Sequence, residues 1–464
     1  MIAAFLLACV PAAQQPEAPP AIHSVCDLSQ EFSFYMDGRF HSQYLKEVGR
    51  DARNWGSLHR LDLANVNLLI LTAGDAHVPY SAESLAHVEE FVRGGCAVLL
   101  MADGNEPMPP GVALAARFGA KLTTTRAQSP LAATRSLAGL EDGAEIVFRG
   151  GTALELGAGW QTRIHDADGR PVLACRALEK GWILIGSRGL FGQSPDASDP
   201  INASWITPLL VNCAAAKHVD PKQPHSSTWA EHARAVGPLT LEYHDGTARF
   251  ADRIAEEFAL VRPHLAEITG VEPVDGMIQR LLILPTGGGG FSSGERIAIG
   301  AWWGGYPEQR YPMVELLAHE AGHSWVLPHP EPLWNEPIAT YMGILTGRRL
   351  GMPEAQRTLE QQIAAGRHHD PDFDRLDPFA ADAPRDLVWG KSFFIFEELE
   401  RRHGPGAFAK YFRAKRACVA ADRAAYTMDD CVAVWSRAVA TDLFPWFRSL
   451  AFDVNAARTE LAPR

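Results

Sequence analysis

The segment LLAHEAGHSWVLPH, residues 316–329, places two histidines four positions apart with a glutamate directly after the first. Val314, Leu317, Ala318 and Ala321 recur at helical spacing around it, so the pattern predicts a helix from about Met313. On a helix, residues four apart share a face. His319 and His323 can therefore aim both imidazoles at one point roughly 2 Å away, the bond length zinc requires. Glu320 lies one residue round the helix, where a carboxylate reaches a water beside the metal without ligating the metal itself. That is the position of a general base in metal-assisted hydrolysis. The competing reading is coincidence, since short patterns of this kind occur in unrelated chains. Three features of the context favour a zinc site: two apolar strands precede the helix, Ala321 and Gly322 let it pack closely, and third ligands are available downstream.

Two third ligands compete. His329 stands at the last position of the metzincin pattern HExxHxxGxxH, but Val326 occupies the place where that family needs glycine to turn the chain back. Glu336 lies in LWNEPIATY, residues 333–341, which resembles the W-x-N-E-G-x-A-x-Y segment of gluzincin metallopeptidases. The resemblance covers roughly residues 239–455. It implies an α+β zincin-type catalytic domain with a mostly helical C-terminal part, Zn2+ as cofactor, and His319, His323 and Glu336 as its ligands. Asn335 would cap the helix that carries Glu336, with Pro337 in its first turn. Val388-Trp389-Gly390-Lys391-Ser392 looks like the family's Y-x-K-G segment, whose tyrosine steadies the oxyanion. Trp389 occupies that place here, which leaves Tyr341 and His329 as candidate donors. Gly300-Ala301-Trp302-Trp303-Gly304 stands where aminopeptidases carry G-x-M-E-N, yet it lacks the glutamate that holds a substrate α-amine, so endopeptidase activity is favoured. Trp302 and Trp303 are read as cleft-wall, core or sugar-stacking residues.

Upstream, Val66 to Leu71 reads as a buried strand, SAESLAHVEEFVRGG (81–95) as a serine-capped helix, and Cys96 to Met101 as the next strand. Gly181 to Gly186 and ITPLLVNCAAA (206–216) suggest the same sheet closing, an α/β unit with a mainly parallel sheet. Over roughly residues 60–215 this half resembles the class I glutamine amidotransferase-like, flavodoxin-type domains. Active members carry a nucleophilic cysteine in an elbow after a strand. The turn here reads Ala102-Asp103-Gly104-Asn105, so the half is read as a non-catalytic binding or spacer module. The expected division is a leader over 1–25, the α/β domain over 26–217, a Pro- and His-containing linker over 218–238 and the zincin domain over 239–464. This domain order is similar to that of enhancin-like peptidases and TRP-channel-associated factors, which implies protein or glycoprotein substrates.

Between the apolar strand Leu281 to Leu284 and the strand Arg296 to Gly300, PTGGGGFSSGER lacks a Gly-Lys-Ser/Thr ending and does not open a helix. It reads as a mobile loop rather than a phosphate cradle. Further helices are expected over 248–269 and in FFIFEELERRHG (393–404), and Thr427 with Asp430 forms a capping box.

At 464 residues with 47% apolar and 21% charged residues, the chain is long enough for two or three globular domains. Its net charge of −12 argues against nucleic acid or an anionic membrane surface as partner. The opening MIAAFLLACVPAA carries an apolar run too short to span a bilayer and a small-residue cleavage site. It reads as a secretory signal that lacks the usual leading Lys or Arg. Leu6-Leu7-Ala8-Cys9 resembles a lipobox, which would make Cys9 a lipid anchor. The location implied is secreted, periplasmic or cell-surface. The six cysteines from Cys26 onward form an even set compatible with disulfides, although Cys96 reads as a buried thiol. The expectation is an exported zinc metallopeptidase in which Glu320 deprotonates the attacking water. A zinc-binding, non-catalytic surface or adhesion protein is the alternative, and a structural site needs no carboxylate beside its ligands.

Overall fold

A computed structural model describes residues 22–29, 40–72, 79–102, 107–134, 146–191, 202–223, 227–284, 289–301, 305–329, 331, 334–380, 382–421 and 426–455. The expected leader up to residue 21, Cys9, Asp103 to Asn105, residues 285–288 of the glycine-rich loop, and Trp302 and Trp303 lie outside them.

Among the described residues, the first half builds ten strands: β1 (Ile22–Asp27), β2 (Gly49–Asn54), β3 (Leu68–Thr72), β4 (Ala97–Ala102), β5 (Ala120–Arg126), β6 (Ala132–Ala133), β7 (Thr152–Leu156), β8 (Gln161–His165), β9 (Pro171–Leu178) and β10 (Gly181–Ser187). Eight of them form one sheet in the order β2-β1-β3-β4-β10-β9-β8-β6. Its helices are α1 (Ala82–Arg93), α2 (Pro109–Arg117) and α3 (Ala203–Ala214). The Ser81 hydroxyl accepts from the Ser84 N–H to cap α1, as the sequence pattern predicts. Residues 68–71 of β3 and all of β4 are apolar and buried because both faces of the sheet are covered.

Four strand pairings are parallel, and the sheet then continues antiparallel through β10, β9, β8 and β6. The mainly parallel sheet expected from sequence is thus a mixed one. A two-residue turn at Glu179 and Lys180, with Glu179 at φ 53°, joins β9 to β10, and so short a connection pairs its strands only antiparallel.

The second half carries a five-stranded sheet of β11 (His232–Val236), β12 (Leu239–Tyr243), β13 (Arg280–Leu284), β14 (Gly290–Ser292) and β15 (Arg296–Gly300), in the order β11-β12-β13-β15-β14. Its helices are α4 (Ala248–Thr269), α5 (Arg310–Val326), α6 (Asn335–Arg349), α7 (Pro353–His369), α8 (Arg385–His403), α9 (Ala407–Cys418), α10 (Met428–Val439) and α11 (Phe444–Ser449). Thr427 and Asp430 form the expected capping box on α10. Among the described residues, no helix is long and apolar enough to cross a membrane.

Two expectations need correction. The segment 218–238 is not simply a linker. The Thr228 N–H bonds to the Arg53 carbonyl, the Trp55 N–H bonds to the Thr228 carbonyl, and residues 232–236 are the edge strand β11. Alternation in the second sheet explains why this segment is held. Leu281, Ile283, Ile297 and Ile299 face the helices, whereas Leu282, Leu284 and Ala298 join a core with Ile22, Trp55 and Trp205 of the first half. The second correction concerns cysteine, because Cys26, Cys96, Cys175, Cys213, Cys418 and Cys431 are all free. Five of these are buried, Cys96 in an apolar cluster as expected, whereas Cys431 bonds the Glu331 carboxylate and Cys175 accepts from Arg163.

Candidate metal centre

Helix α5 starts three residues before the expected Met313 and carries His319, Glu320 and His323. Helix α6 crosses it closely because glycines stand at the crossing. A Cβ on Gly322 would sit 3.2 Å from Ala339 Cα, and one on Gly343 would sit 2.7 Å from the Glu315 carbonyl oxygen. The close crossing brings the start of α6 over the histidines.

The two Nε2 atoms of His319 and His323 lie 3.1 Å apart. The Glu336 carboxylate faces both, one oxygen 3.4 Å from His319 Nε2 and the other 3.5 Å from His323 Nε2. Donor atoms bound to zinc at about 2.0–2.1 Å in a tetrahedron are separated by roughly 3.3 Å, so the spacing fits. Proton placement fits as well. Thr340 Oγ1 donates to the Glu336 carbonyl at 3.0 Å and so accepts from His319 Nδ1 at 3.1 Å. Asn335 Oδ1 accepts from His323 Nδ1 at 3.2 Å. Each imidazole thus donates through Nδ1 and turns its Nε2 toward the other and toward Glu336, a face on which either a proton on His319 or a metal ion balances the donor atoms.

Glu320 also offers an oxygen within 4.8 Å of both imidazoles. Of the two carboxylates, Glu336 comes from a separate helix and faces both rings, whereas Glu320 shares the helix of the histidines. Glu320 is buried at 6% exposure and packs against β14, where a Cβ on Gly290 would meet its Cγ at 2.9 Å. Burial pushes the Glu320 carboxyl up to about 7, with His319 pulling it down and Glu336 pushing it further up. The Glu336 carboxyl is held low by its hydrogen bond to His319. Burial works against a charged His319, yet the hydrogen bond and charge of Glu336, with Glu320 and Glu315, hold its pKa above the ordinary value. Burial lowers that of His323, aided by the charge of His319.

The remaining candidates are committed elsewhere. His329 Nδ1 donates to the Val419 carbonyl at 2.8 Å. Tyr341 is fully buried and donates to Glu397 at 2.7 Å, so it turns away from the imidazoles. The Trp389 indole N–H goes to Thr340 Oγ1 at 3.3 Å, and Arg385 stacks on its ring at 4.7 Å. Lys391 is buried and bonds the Leu376 carbonyl at 2.6 Å. Asn335 does not cap α6. Trp334 holds that position without a side-chain bond, and the Asn335 amide instead serves His323. Sequence reasoning missed Thr340, although its place four residues after Glu336 puts both on one face of the helix.

No protein-family model matches the chain, and no curated protein matches it. Among solved structures, the IFT52 N-terminal domain is similar at 14% identity, covering 42% of this chain and 99% of that one with a TM-score of 0.32. A cytoplasmic protein of Salmonella typhimurium is similar at 9% identity, covering 42% and 96% with a TM-score of 0.30. A mutant M1 zinc metallopeptidase of Deinococcus radiodurans bound to a Tyr-Ser-Ala substrate is similar at 12% identity, with 49% and 52% covered and a TM-score of 0.32.

Proposed function

We propose that this chain is an exported zinc-dependent metallopeptidase of the gluzincin type, acting as an endopeptidase on proteins or glycoproteins. His319, His323 and Glu336 hold the metal and Glu320 is the general base. One observation carries the reading: two Nε2 atoms 3.1 Å apart, each ring held by a partner on Nδ1 and faced by a carboxylate from a second helix. Zinc held there supplies Lewis-acid activation of water and of the scissile carbonyl.

The rest of the chemistry belongs to side chains. Glu320, buried beside the imidazoles, takes a proton from the attacking water and returns it to the leaving amine. Glu336, half exposed, leaves its side of the cluster open to substrate. Strand β14 lies beside Glu320 and, among the described strands, pairs only with β15, so an extended peptide could add along its other edge.

The non-catalytic alternative draws on a single feature. Tyr341 and His329, the donors suggested by sequence, bond Glu397 and the Val419 carbonyl instead. Incubating the purified chain with denatured casein and a mucin-type glycoprotein, with and without chelator, separates the two readings. Internal cleavage that stops on chelation and returns with Zn2+ is expected. One equivalent of zinc bound at this centre without cleavage of either substrate would favour the alternative.

A further inference from the structure

The junction between the two halves holds a second group of metal-binding side chains, far from α5 in sequence and independent of it. Glu231 comes from the segment entering β11, His232 opens that strand, and His244 and Asp245 follow β12. Glu231, His232 and Asp245 offer donor atoms that all lie within 4.8 Å of one another. His232 Nε2 stands 2.6 Å from Asp245 Oδ1.

A cluster of this kind is often no more than a solvated ion pair, but His244 sets this one apart. Its side chain is 1% exposed, its Nδ1 points at Glu231 Oε2 from 4.0 Å, and neither ring nitrogen has a hydrogen-bond partner. A buried imidazole with two unmet polar atoms costs stability unless something outside the protein satisfies it. Glu231 is buried beside it, its side chain 3% exposed, with its two oxygens fixed by the N–H groups of Ser57 at 2.9 Å and Asp245 at 2.7 Å. Each carboxylate oxygen keeps a second lone pair for another partner. His232 and Asp245 are 42% and 50% exposed, so the group has a buried floor and an open mouth.

The geometry points to a second divalent-metal site, built by His244 and Glu231 on the floor and His232 and Asp245 at the mouth. Two imidazoles and two carboxylates make a nitrogen and oxygen donor set suited to zinc and its first-row neighbours. Arg60 of the first half pairs with Asp245, which tempers the charge of the two carboxylates and leaves a dication to complete it. The site is structural. Glu231 already ties the turn at Ser57 to the hairpin of β11 and β12. A bound ion would lock the two halves at that seam.

The test counts zinc in the chelator-stripped, reconstituted full chain. His319→Ala/His323→Ala, which removes the other centre, should keep one equivalent. Adding His244→Ala should weaken that binding by more than the roughly 10–100-fold that loss of an outer-shell partner costs. Asp245→Asn at the exposed mouth, which leaves the core untouched, should weaken it too and so covers the case in which His244→Ala misfolds. Failure of the first centre reads differently: one equivalent in the wild type that survives His319→Ala/His323→Ala and is lost with His244→Ala supports the junction site alone. A folded His319→Ala/His323→Ala chain without zinc would overturn the proposal, with His244 then satisfied by water. So would an equivalent that survives both His244→Ala and Asp245→Asn.

Discussion

At the residue scale, the division of labour around α5 makes separable demands. Glu320→Gln keeps both imidazoles and Glu336 but removes the proton acceptor. It should therefore retain zinc at the first centre while hydrolysis falls by several orders of magnitude, and residual cleavage near the wild-type rate would sink the base assignment. Glu336→Ala and His329→Ala separate the two candidate third ligands. Metal analysis should find the first centre empty in the former and filled in the latter, whereas the metzincin reading demands the reverse. Thr340 reaches the metal only through His319, so it is a positioning residue. Thr340→Val leaves the Nδ1–H of His319 without its acceptor and should cost roughly 10–100-fold in zinc affinity, while Thr340→Ser restores it. Equal affinity in Thr340→Val and the wild type would show that the hydroxyl does not set the tautomer.

At the element scale, glycines set the distance between backbones. A Cβ on Gly290 would stand 2.5 Å from the Ala298 carbonyl oxygen and 2.9 Å from Glu320 Cγ, so even a methyl group must push β14 away or displace the base. Gly290→Ala is expected to destabilise the fold by about 1–3 kcal/mol as overpacking does. It should also cut the turnover number at least tenfold with the zinc content unchanged, since the added methyl meets Glu320 and not a ligand. Wild-type turnover alongside full zinc would show that β14 does not position Glu320. Elements of this kind differ in how far sequence reveals them. The helix under HEAGH, the capped helix from Ser81 and the capping box at Thr427 were legible because periodicity and caps are local signals. Glu336 was singled out by a resemblance, and α6 carries its carboxylate to 3.4 and 3.5 Å from the two imidazoles. Asn335 and Thr340 were misread or missed because their partners lie 12 and 21 residues away on another helix. No local pattern carries that information. Strand β14 hid inside a glycine-rich run for a similar reason, since its pairing with β15 supplies what its propensity lacks.

At the scale of the whole molecule, the two halves share a core that the sequence presents as a division. Strands β13 and β15 carry apolar side chains on both faces, a pattern that on its own predicts cover on both sides. The helices of the second half cover one side, while Trp55 and Trp229 meet Phe291 on the other at ring distances of 5.1 and 6.4 Å. Arg296 lies 4.0 Å over the Trp229 ring and bonds Glu242 at 2.7 Å, so the seam is polar at its rim as well as apolar within. Burying an aromatic side chain of this size contributes about 1.5–3 kcal/mol, so several of them amount to a large fraction of the stability of a typical domain. The second half should therefore not be stable alone. Residues 239–464 expressed without the first half would lose β11 and expose Leu282, Leu284 and Phe291, and should be recovered aggregated or unfolded. The full chain should melt in a single calorimetric transition, and Trp229→Ala should lower that one transition rather than split it. A soluble 239–464 fragment with native far-ultraviolet dichroism and zinc-dependent cleavage would show instead that the seam joins two independent units.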